Sequence, residues 1–104
     1  MRAHEWIDRR SLALHGAVAA KLAAQPELLD VARANLRRWL LVNPADSLHE
    51  WARLLDTTPL PALIELMQSS GERATRLRQS SPFAGLLTPQ ERQVILRRYE
   101  PRRA

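Results

Sequence analysis

The chain contains no cysteine. That excludes disulfide staples, thiolate metal sites and cysteine nucleophiles together, and it suits a reducing, cytoplasmic compartment. Glycine is nearly as scarce. Gly16, Gly71 and Gly85 stand far apart, so no glycine-rich loop cradles a phosphate with bare backbone N–H groups. Lysine occurs once, at Lys21. No apolar run approaches the roughly 20 residues of a membrane span. Met1 to Arg10 mixes charges of both signs without an apolar stretch and does not read as a secretory signal. Neither strand-like alternation nor an internal repeat is visible.

What is present is ordinary for a globular domain. The 104 residues are 45% hydrophobic and 26% charged, enough for one core with a modest stability margin. The net charge is +5, with 15 arginines against one lysine. In a chain this rich in Ala and Leu, that skew follows in part from GC-rich codon usage. The charge bears on function more than the choice of arginine does, and it suits an acidic partner, protein or nucleic acid.

Helical periodicity runs through the chain. Ile7, Ser11, Leu14, Val18 and Leu22 recur at spacings of three and four and predict a helix over about 3–24, weakened at Gly16. Pro26 opens a second helix, lined by Leu29, Ala32, Leu36 and Leu40 and ended by Asn43-Pro44. Ser47 and Glu50 have capping-box spacing ahead of Leu48, Trp51 and Leu55. A fourth helix starts near Thr58-Pro59 and carries Leu60, Leu63, Ile64 and Met67 as a core stripe, with Pro61 in its first turn. Ser69 and Glu72 repeat the capping-box spacing before a short basic helix to Gln79. Thr88, Pro89 and Glu91 mark the clearest start in the chain, for a last helix to about Tyr99. The fold class is all-α, a compact antiparallel bundle of five to six helices. It forms one domain over 1–100, with 101–104 as a mobile basic tail.

Little here reads as catalytic. No two of His4, His15 and His49 have the spacing of a helical metal pair, so neither metal nor cofactor is expected. Asp8, Asp30, Asp46 and Asp56 lie on different segments, where capping and ion pairing explain them. No serine sits in a nucleophile elbow. Trp39 and Trp51 read as core; Trp6 lies at a helix edge and is open to exposure. A basic face could gather Arg73, Arg76 and Arg78 with Arg92, Arg97, Arg98, Arg102 and Arg103. As a DNA reader it is poorly furnished, because Glu91 places a carboxylate at the start of the last helix.

Ser80 to Gly85 breaks all periodicity, and the stretch around it, Arg76 to Pro89, RLRQSSPFAGLLTP, holds the single phenylalanine between a proline and small residues. Pro82 stiffens it, and Gly85 permits an unusual backbone angle. A rigid loop preceded by arginines loses little entropy on binding a protein, and arginine is enriched in binding hot spots. The usual fate of a loop aromatic such as Phe83, however, is to plug the core beneath the loop. Together with Arg9-Arg10-Ser11-Leu12-Ala13-Leu14-His15, this stretch resembles short bacterial proteins of toxin–antitoxin loci. The resemblance implies a non-enzymatic antitoxin that neutralises a toxin enzyme by direct binding. Arg76, Arg78, Gln79, Ser80, Ser81 and Phe83 are the expected contacts, with Arg9 and Arg10 as a second group. The arginines would pair with acidic groups of the toxin, such as the metal-binding carboxylates of a nuclease or nucleotidyltransferase. Neither Arg78 nor Gln79 is expected in the core. The alternative is a DNA-binding regulator using the basic C-terminal face.

Overall fold

In a computed structural model that describes residues 3–99, with side chains from residue 5 onward, the described residues form six α-helices and no strand. They are α1 (Ala3–Ala24), α2 (Leu29–Val42), α3 (Asp46–Thr57), α4 (Leu60–Gln68), α5 (Glu72–Arg78) and α6 (Pro89–Arg98). A 3-10 turn, Pro26–Leu28, leads into α2. The all-α bundle read from periodicity is therefore the fold. The proposed tail at 101–104 lies outside the described residues. No described helix is long and apolar enough to cross a membrane.

α1 packs chiefly on α4, α2 on α3, and α6 lies along α1. The core joins Val18 and Leu22 of α1, Leu36 of α2, Trp51 and Leu55 of α3, Leu63 and Met67 of α4, and Leu77 of α5. Trp51 is wholly buried, and its indole N–H donates to the Leu77 carbonyl at 2.8 Å, so the largest core side chain leaves no polar atom unpaired. Trp39 packs half-buried on the core edge. Trp6 is also half-buried, with the Arg10 guanidinium 4.9 Å from its ring centre.

Two helix starts differ from expectation. α3 begins at Asp46 with Ala45 as its N-cap, and the Leu48 and His49 N–H groups donate to the Ala45 carbonyl. Glu50 is turned away from its own helix end because two guanidiniums claim it. Arg73 donates to it at 2.9 Å and Arg76 at 3.1 Å, bonds in which both partners are charged. At α5, Gly71 is the N-cap, and the Ser69 hydroxyl accepts from the Gly71 N–H instead of bonding into the helix. The Thr88–Glu91 box is present in full. The Glu91 N–H donates to Thr88 Oγ1 at 3.1 Å, and the Thr88 N–H donates to Glu91 Oε1 at 2.7 Å.

Candidate functional site

The segment between α5 and α6, residues 79–88, has no regular structure but is firmly held. The side-chain amide of Asn35, buried on α2, donates to the carbonyls of Pro82 and Ala84, at 2.9 Å each. Arg38 in turn donates to the Asn35 side-chain oxygen. Pro82 and Phe83 are buried, and the Phe83 ring meets Trp51 edge-on at 5.3 Å and His15 at 6.1 Å. Gly85, at φ +87°, has the one positive φ among the described residues, so the turn there needs glycine.

This anchored segment forms one wall of an open cleft of about 690 Å³. Residues of α1 line it too, and α6 contributes Pro89 and Arg92. The apolar floor comes from the α1 stripe. Val18 is buried, Leu14 is half-buried and Ile7 is 46% exposed, so the stripe that enters the core at one end of α1 lies open at the other. Leu87 adds apolar surface from the anchored segment. Three arginines line the cleft, Arg10, Arg78 and Arg92, against a single carboxylate, Asp8.

Two polar groups in the walls are unusual. Arg78 is only 7% exposed, which corrects the expectation that it lies outside the core. Its guanidinium donates to the Met67 carbonyl at 3.1 Å, the Ser69 carbonyl at 2.6 Å and the Thr75 hydroxyl at 3.3 Å. It is drawn inward because α4 ends at Gln68 with carbonyls that no following turn of helix satisfies. All three acceptors are neutral, and among the described residues no carboxylate comes within ion-pair distance of it. Burial lowers its pKa, and the charge of Asp8 counteracts that. His15 is also 7% exposed. Its Nδ1 lies 2.7 Å from the Ser11 carbonyl, so Nδ1 donates and Nε2 is a bare acceptor, for which the described residues supply no partner. Burial pushes the His15 pKa below its ordinary value; the Ser11 bond opposes this and the Arg78 charge reinforces it.

The expected contact residues divide. The cleft gathers Arg10, Arg78, Gln79, Ser81 and Phe83. Of these, Gln79 is exposed, Arg10 and Ser81 are half-buried, and Arg78 and Phe83 are buried in its walls. Arg9 is exposed outside it, Ser80 is half-buried beside it, and Arg76 is engaged with Glu50. Sequence reading gave no site role to Asp8 in the cleft or to Asn35 behind it, and it placed Arg92 on the basic C-terminal face and His15 only within the Arg9–His15 block. The α1 stripe was the usable signal, since it is longer than the core it serves.

The basic C-terminal face is also divided. Arg73 and Arg76 pair with Glu50, whose carboxyl is held below its usual pKa chiefly by the bond from Arg73. Arg92, Arg97 and Arg98 are exposed on α6, whereas Arg102 and Arg103 lie outside the described residues. Glu91 is bound by Lys21 at 2.6 Å and by its cap, which push its pKa down to about 2. No tight turn joins α5 to α6, as a helix-turn-helix would need. Among the described residues no three His, Asp or Glu side chains gather as a metal-binding set.

Compared with family models, curated proteins and solved structures, the chain gives no match.

Proposed function

We propose that the chain is a non-enzymatic protein-interaction module of the cytoplasm. It acts as an antitoxin that neutralises a toxin enzyme by direct binding. The observation that carries this reading is the open cleft, with its apolar floor, arginine lining and one anchored wall. Uncovered apolar surface flanked by arginines favours an interaction site, and a wall fixed in advance by Asn35 loses little entropy on association. The acids support the non-enzymatic part. Glu50 and Glu91 are committed to arginine and lysine partners, Asp30 pairs with Arg33, and Asp56 lies near the same arginine.

The test is co-expression with the product of the adjacent gene. The neighbour alone should arrest growth. With this chain it should be tolerated and should co-purify with it. Absence of both rescue and co-purification would refute the reading. The exposed Arg92, Arg97 and Arg98 favour DNA binding as a second reading. It requires sequence-selective DNA binding that persists at physiological salt.

A further inference from the structure

We infer that the cleft is built to receive an acidic amphipathic helix of the partner protein, with Arg78 as the receptor for one of its carboxylates. This rests on the reading of the chain as an interaction module, and three observations lead from that reading to this occupant.

The first is geometric. Extended peptides dock by adding a strand to a sheet edge, and the described residues contain no strand to extend. Proline-rich segments need an aromatic-lined groove, but the one phenylalanine is buried, its ring edge-on to Trp51 and His15. What the cleft offers is an apolar helical face, half of it already covered. Val18 and Leu22 lie in the core with α4, while on the same stripe Leu14 is half-buried and Ile7 is exposed. The natural cover for a helical stripe is another helix, with apolar residues at the i, i+3, i+4, i+7 spacing of such anchors.

The second is electrostatic. The cleft's three arginines face one carboxylate, so a basic occupant is repelled and an acidic one is drawn in.

The third singles out Arg78. A buried cation ordinarily has an anion beside it, since desolvation otherwise disfavours the charge. Arg78 is 7% exposed in the wall of a cleft that opens to solvent, its hydrogen-bond acceptors are all neutral, and Asp8, the one carboxylate whose charge acts on it, makes no ion pair with it. Those three bonds do not use every N–H of a guanidinium, and the others remain for a carboxylate. The fork is also held in position from within, by the end of α4 and by Thr75, so binding need not order it.

The experiment is a selection against the full-length chain, using displayed random helices about 20 residues long, enough to be helical when docked. The expected winners carry apolar residues at helical spacing and at least one flanking Asp or Glu. A synthetic winner should bind Arg92→Glu and Ile7→Asp about tenfold or more weakly, and Leu41→Asp, remote on α2, equally well. Arg78→Lys keeps the charge but loses the fork, and its binding should fall likewise. Circular dichroism checks that variant's fold, and if it unfolds, Arg92→Glu and Ile7→Asp decide. Winners without carboxylates, winners indifferent to Arg92→Glu and Ile7→Asp, or no winners would each overturn the inference. A neighbouring gene product that stays bound to those two variants would overturn it too, while leaving the interaction reading standing. Acidic helices selected at the cleft by a chain that captures no neighbour would uphold the cleft's specificity and reject the antitoxin reading.

Discussion

At the scale of single residues, Arg78 and Gln79 are neighbours with opposite roles. Arg78 satisfies carbonyls at the end of α4 from a buried position, whereas Gln79 is exposed on the cleft. Removing the guanidinium strands two carbonyls, and an unsatisfied buried polar group costs about 1–3 kcal/mol. Arg78→Ala should therefore lower stability by about 2–4 kcal/mol in urea denaturation. Gln79→Ala should stay within about 0.5 kcal/mol of the parent, as exposed positions do. Equal effects would mean that the Arg78 clamp is not made. His15 supplies a pH signature. Its folded-state pKa lies below the ordinary value of 6.5, so below that pH the unfolded chain binds more protons than the folded one. The stability it supports is whole above pH 6.5 and falls as the pH drops from there towards the folded pKa. Glu50 and Glu91, whose folded pKa values are depressed, lose their contributions only as the pH falls below 4.5, so they leave that window clear. The urea midpoint should therefore fall between pH 7.5 and 5, and His15→Gln, which keeps a donor for Ser11 but cannot take up the proton, should flatten the curve. A flat curve for the parent chain would contradict the burial of a neutral histidine.

At the scale of elements, periodicity and caps were the legible part. Thr88, Pro89 and Glu91 signalled α6 because every partner of that cap is within three residues. The same spacing at Ser47 and Glu50 misled, because the groups that take Glu50 come from α5, and no local pattern reports a partner that distant. The inward turn of Arg78 was illegible for the same reason. Basic residues in a short helix look solvated until the end of another helix arrives beside them. Half of the cleft was legible as loop composition, with Gln79, Ser81 and Phe83, and half was not, because Arg92 and Asp8 join only when α6 lies along α1. Gly16 offers an element-scale test. A Cβ there would meet only the Gln68 side-chain oxygen, at 4.0 Å, so the site has room. Gly16→Ala should stabilise α1 by about 0.5–1 kcal/mol, the usual helix-interior difference, and raise the melting temperature. A lowered melting temperature would mean that α1 and α4 pack too closely there for a methyl group.

At the scale of the whole molecule, the six described helices close one core and leave the Ile7 end of the α1 stripe uncovered, beside a segment that α2 and α3 hold in place. The apolar residues at the end of α2, Leu41 and Val42, are each 87% exposed, so the molecule presents a second apolar surface apart from the cleft. The two surfaces allow a direct comparison. Amide hydrogen exchange of the full chain, alone and with the co-purified product of the adjacent gene, tests the cleft as the interaction surface. New protection should appear across residues 7–18 and 79–92 and leave residues 40–46 unchanged. Protection at 40–46 with no change along α1 and the 79–92 segment would contradict it.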